Sequence, residues 1–137
     1  MSAKILDGKA CSEQALELIS KNIGDTPPTL VIYRIGDDPA SAVYVRNKVR
    51  AAARVGIIAI VREFLARENP YYVMGLIEED AKDPDIDGIM VQLPLPDEWD
   101  ATELIECEGL LPRCCWLADQ HLCRHLRRIR CFERCRH

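Results

Sequence analysis

At 137 residues, with 48% apolar and 29% charged side chains, the chain is long enough for one modest core and too short for two full domains. A net charge of −4 argues against nucleic acid as a partner, and no run approaches the roughly 20 apolar residues that a membrane helix needs. Met1-Ser2-Ala3-Lys4 leads into charged residues rather than an apolar signal segment, so a cytoplasmic protein is expected.

Ala10, Ala15, Leu16, Leu18, Ile19 and Ile23 form the apolar stripe of an amphipathic helix over residues 10–23, ended by Gly24 and Pro27-Pro28. Residues 29–35 are a short apolar, β-branched run closed by Gly36-Asp37-Asp38-Pro39, which predicts a buried strand and a tight turn. A second helix follows over residues 41–55, stopped by Gly56. Residues 57–64 then read as a strand, 71–82 as a helix and 87–93 as a third strand. Regular alternation of this kind predicts a three-layer αβα domain with a mainly parallel sheet. Functional groups in such sheets gather at the carboxyl ends of strands, where the segments 36–48 and 92–96 both begin. The seven glycines are scattered and match no dinucleotide fingerprint, so no nicotinamide-binding domain is expected within the 137 residues.

The charge is uneven. Through Glu106 there are 11 basic and 19 acidic residues; beyond it there are 7 arginines, 3 acids and no lysine. Six of the seven cysteines and all three histidines also lie in residues 107–137. The expected organisation is a catalytic domain over residues 1–106 and an atypical Cys/Arg/His-rich tail over 107–137.

Tyr44 and Lys48 are spaced i, i+4 on the second predicted helix, so phenol and ammonium share one face. A lysine partly desolvated in a cleft exchanges protons nearer neutral pH; the bland alternative is a surface lysine beside a half-buried tyrosine. Val91-Gln92-Leu93-Pro94-Leu95-Pro96 places one amide at the end of an apolar strand and then two prolines that stop the ladder. Gln92 needs partners for both donor and acceptor. Lys48 or a polar heterocycle would serve, and so would loop backbone.

Lys4-Ile5-Leu6-Asp7-Gly8-Lys9, the run from Gly36-Asp37-Asp38-Pro39 through Tyr44-Val45-Arg46-Asn47-Lys48, and Asp87-Gly88-Ile89-Met90-Val91-Gln92-Leu93-Pro94-Leu95-Pro96 occur in that order. In order and spacing they resemble the bifunctional methylenetetrahydrofolate dehydrogenase/methenyltetrahydrofolate cyclohydrolase family, over residues 1 to about 106. The resemblance implies that Lys48 is the catalytic residue of the cyclohydrolase step, that Tyr44 packs on the folate, and that Gln92 bonds the lysine and tunes its protonation. Leu93 and Pro94 complete the implied substrate-binding set.

The implied activity is NADP-dependent oxidation of 5,10-methylenetetrahydrofolate to the 5,10-methenyl form and its hydrolysis to 10-formyltetrahydrofolate. The implied partners are tetrahydrofolate one-carbon derivatives and, for the full-length family, a second copy in a homodimer, with no nucleic acid and no membrane. NADP belongs in that family to a separate Rossmann-type domain, so no cofactor and no metal are expected on this chain. An inactive or folate-binding-only fragment is the alternative. The family also carries an Asp-Val-Asp-Gly-like motif that grips the pteridine; here that region reads Cys107-Glu108-Gly109-Leu110-Leu111-Pro112, without the aspartates. A C-terminal helix returns to the first domain in the family fold, so an uncovered apolar face and marginal stability are expected.

Three readings compete for the tail. Cys123, His125, Cys131 and Cys135 could ligate zinc, although in no familiar spacing. Arg124, Arg127, Arg128 and Arg130 could bind nucleic acid or a membrane surface. The third reading, which the repeated Cys-Arg-His at 123–125 and 135–137 favours, is a product of a shifted reading frame.

Overall fold

A computed structural model describes residues 7–101 and Leu104. The readings of the tail, and the Cys107 to Pro112 departure, lie outside the described residues.

Three helices alternate with three strands: α1 (Gly8–Asn22), β1 (Thr29–Ile35), α2 (Pro39–Val55), β2 (Ile58–Phe64), α3 (Pro70–Lys82) and β3 (Gly88–Gln92). The strands form a parallel sheet in the order β2-β1-β3. β1 is therefore central and covered on both faces, and Val31, Ile32, Tyr33 and Ile35 are all buried. Side chains alternate across the sheet. On one face Val31, Tyr33, Ile35, Ile89 and Val91 pack with Val73 and Ile77 of α3. On the other, Ile32 and Met90 pack with Val45 of α2. This is the three-layer αβα arrangement expected from the alternation.

Helix starts differ from the sequence expectation by one or two residues, and the reason is capping. The Asp38 carboxylate accepts from the backbone N–H of Ser41 at 2.6 Å, and Pro39, which has no N–H to satisfy, occupies the first turn of α2. The Asp7 carboxylate accepts from Lys9 and Ala10 at 3.0 Å, so α1 begins at Gly8. Asn69 caps α3 before Pro70 in the same manner. Gly56 closes α2 at φ +92°, a left-handed value that suits glycine, while the Ile57 N–H returns to the Ala52 carbonyl at 2.9 Å.

α1 is the helix that its stripe predicts, and it leaves an apolar face uncovered among the described residues. Its apolar stripe buries no residue; Leu18 and Ile19 remain 61% and 43% exposed, and the helix lies along α2, with Arg54 bonded to Glu13 at 2.6 Å. On the edge strand β2, Ile58 and Ile60 are likewise exposed on the α3 side, because α3 sits over β1 and β3.

Candidate active site

The carboxyl edge of the sheet collects the polar groups. β3 alternates so that Met90 and Gln92 face α2, and Lys48 of α2 stands above them. The Lys48 ammonium donates from Nζ to Gln92 Oε1 at 2.6 Å. The Gln92 amide donates from Nε2 to the Leu93 carbonyl. Two of the three partners considered for Gln92 are therefore present at once: it accepts from the lysine and donates to loop backbone. Gln92 is 3% exposed, and a buried amide with both ends bonded holds one orientation.

Lys48 is half-buried, and burial pushes its ammonium below the usual lysine value. Tyr44, one turn earlier, presents an exposed ring on the same helix face. The Leu93 carbonyl also accepts from the Ser41 hydroxyl at 3.4 Å, which ties the start of α2 to the end of β3. The Leu93–Pro94 peptide is cis, and Pro94 lies exposed just past β3. Of the five residues singled out from sequence, Lys48, Gln92 and Leu93 are thus joined by hydrogen bonds, while Tyr44 and Pro94 border them with open surface.

Gly36 holds the turn before α2 at φ +88°, and a Cβ there would stand 3.2 Å from Pro96 Cγ. Gly36→Ala is expected to destabilise the domain by about 1 to 2 kcal/mol from the left-handed backbone alone, with further crowding against the proline. Thermal denaturation checks it: an unchanged melting temperature would show that the turn relaxes freely.

Two clusters escaped the sequence reading. Behind the sheet, the buried Tyr33 hydroxyl donates to Asp80 Oδ2 at 2.6 Å, and Arg62 grips the same carboxylate at 2.7 and 2.8 Å. Burial, then the bond to Asp80, pushes the Tyr33 phenol far above its ordinary value. On the α2 side, Arg34 donates to Glu63 Oε1 through Nε and Nη2 at 3.0 and 2.8 Å. The available signal was a polar side chain inside each apolar strand run, since a buried polar group requires a partner.

The amino ends of all three helices are capped by their own Asp7, Asp38 and Asn69 side chains, and Pro96 fills the space beside Gly36. Among the described residues no group of three or more His, Cys, Asp or Glu side chains is placed to hold a metal, and no helix is long and apolar enough to cross a membrane.

The chain is thus a parallel αβα domain that holds a half-buried amine against an oriented amide at the carboxyl ends of its strands. The chain belongs to the tetrahydrofolate dehydrogenase/cyclohydrolase family: the model of that family's catalytic domain matches residues 6–107. The bifunctional protein FolD of Nitrosospira multiformis is 43% identical over 114 residues, 77% of this chain and 38% of its own. A 5,10-methylenetetrahydrofolate dehydrogenase from the silkworm Bombyx mori superposes with a TM-score of 0.74 at 36% identity, over 81% of this chain and 40% of that one. The Trypanosoma brucei methylenetetrahydrofolate dehydrogenase-cyclohydrolase, solved with NADP cofactor and an inhibitor, shares the fold at 23% identity and a TM-score of 0.73, over 82% and 40%. The chain thus spans about 40% of these relatives' length.

Proposed function

We propose that the chain supplies the folate-binding and proton-handling part of a methylenetetrahydrofolate dehydrogenase/methenyltetrahydrofolate cyclohydrolase, acting on cytoplasmic tetrahydrofolate one-carbon derivatives. The observation that carries this reading is the 2.6 Å bond between Lys48 and the buried, doubly bonded Gln92. Methenyltetrahydrofolate has an amidinium-like carbon that water attacks, and the attacking water must lose a proton. A lysine whose charged form is disfavoured by burial can take it, with Gln92 holding the amine in place. The exposed ring of Tyr44 offers a stacking surface for the pterin, and Leu93 and Pro94 border the same opening.

The dehydrogenase step needs a hydride acceptor, which NADP supplies when bound. The chain spans about 40% of its relatives' length, and we assign that step to the family's full-length form, which we take to be a homodimer. Residues 1–106 are the proposed catalytic unit, with 107–137 as a separate tail.

Two measurements on the full chain test the proposal. Thermal-shift titration with a folate analogue is expected to raise the melting temperature, since a ligand that binds only the folded state must stabilise it. Methenyltetrahydrofolate is expected to hydrolyse faster than in buffer. Stabilisation without turnover would leave the folate-binding fragment as the correct reading, and a flat titration with background hydrolysis would leave an inert one.

A further inference from the structure

The row of side chains across the sheet at its carboxyl edge runs Glu63, Arg34, Gln92, one from each strand and all on the α2 face. Arg34 is the direct register partner of both neighbours. Its side chain is only 17% exposed, and its three guanidinium nitrogens are all engaged: Nε and Nη2 on Glu63, Nη1 on the Gly36 carbonyl at 3.4 Å. The Gly36 N–H in turn donates to the Phe64 carbonyl at 2.9 Å.

The turn beginning at Gly36 is therefore held to the edge strand twice, by backbone and through Arg34. That turn leads directly to the Asp38 cap and Pro39, the start of the helix that carries Lys48. A planar guanidinium can hold a carboxylate and a carbonyl in one fixed fork, which a lysine ammonium cannot reproduce.

We propose that Arg34, clamped by Glu63, is a positioning residue for the Lys48 and Gln92 pair: it fixes the β1–α2 turn and, as Gln92's neighbour in the row, the place where the amine meets the amide. This inference rests on the hydrolase reading. Arg34 need not touch the substrate; it acts by setting where Lys48 stands, and small displacements of a catalytic group cost large factors in rate.

The test uses the full chain with Arg34→Met, which keeps the apolar stem, Arg34→Lys, which keeps the charge, and Glu63→Gln, which loosens the clamp at its exposed end. Hydrolysis of methenyltetrahydrofolate is read as kcat and KM separately, and site-resolved acetylation by acetic anhydride reads the reactivity of Lys48 against Lys9, Lys21 and Lys82 as internal references. Arg34→Met is expected to lower kcat about tenfold with KM within about twofold, and to raise Lys48 acetylation several-fold as its bond to Gln92 loosens. Arg34→Lys should recover less than half of the lost rate, and Glu63→Gln should lose about threefold. Unchanged Lys48 acetylation in Arg34→Met and in Glu63→Gln overturns the proposal, whatever the activity. Should Arg34→Met not fold, Glu63→Gln decides by the same two readings. If wild type and Lys48→Ala hydrolyse alike, the hydrolase reading has failed, and the acetylation pattern still decides whether Arg34 positions Lys48.

Discussion

Lys48→Ala is expected to lower kcat for methenyltetrahydrofolate hydrolysis by roughly 10²- to 10⁴-fold, the range that positioned proton transfer contributes. KM should move far less, because truncation removes a group needed in the transition state while leaving the exposed Tyr44 ring in place. The fold should survive, since Lys48 is only half-buried and its loss frees a single acceptor on Gln92. The wild-type rate should rise with pH as the amine loses its proton, with a midpoint below the ordinary lysine value of 10.5.

The partner supplies a second control. Gln92→Glu puts a carboxylate against the ammonium, favours its charged form and should move the rising limb to higher pH. Gln92→Leu removes the acceptor and should move it lower while loosening the amine's placement. The linkage sign follows from the same shift: Lys48 carries its proton less readily folded than unfolded, so its contribution to stability grows with pH between the lowered value and 10.5. A pH–rate profile that is identical in wild type and both Gln92 variants would remove Lys48 from the proton-transfer step.

The largest effect on stability is expected on the opposite face. Asp80→Ala strips the acceptor from the fully buried Tyr33 hydroxyl, which costs about 1 to 3 kcal/mol, the range for a buried polar group left without a partner. It also unpairs Arg62, whose side chain is 40% exposed, so solvent screening limits that contribution to about 1 kcal/mol. Since domains are stable by only about 5 to 15 kcal/mol, a fall in melting temperature of about 10 °C or more is expected from circular dichroism. Tyr33→Phe removes the hydroxyl itself and leaves Asp80 with Arg62, so it should cost only about 1 kcal/mol.

The alkaline limb separates these variants. The Tyr33 phenol is raised above 10 in the folded chain, so its contribution is complete below pH 10 and is lost as pH rises beyond it, because the unfolded chain ionises first. Lys48 works in the opposite direction just below that range, and the comparison of wild type with Tyr33→Phe cancels it. Tyr33→Phe should therefore show a flatter loss of stability above pH 10. A wild-type curve equally flat would mean that folding does not raise the Tyr33 phenol.

Much of the site was legible because its signals are local. Tyr44 and Lys48 share a face by helical spacing alone, and Gly36-Asp37-Asp38-Pro39 marks a tight turn within four residues. The fold class followed from alternating strand and helix patterns. Arg34 and Tyr33 were harder to read, because inside an apolar strand a polar side chain announces only that it needs a partner. Its partner here lies 29 residues away at Glu63, or 47 away at Asp80. The stripe of α1 located a helix but not a neighbour for it: an apolar period states only that a face could be buried, and Leu18 and Ile19 find no cover among the described residues.

Sequence alone determined the succession of helices and strands, the Tyr44 and Lys48 face, and the family to which the motifs point. These are properties of short periods and single turns, fixed by backbone sterics and hydrogen bonding within a few residues. The tertiary structure decided that β1 is central, that Gln92 turns toward α2 rather than α3, and that Lys48 meets it across 44 residues. It also decided that Glu63, Arg34 and Gln92 stand in one row. Those facts depend on strand order and register, which the packing of both faces of the sheet sets jointly, because a one-residue slip would turn every side chain of a strand to the other side.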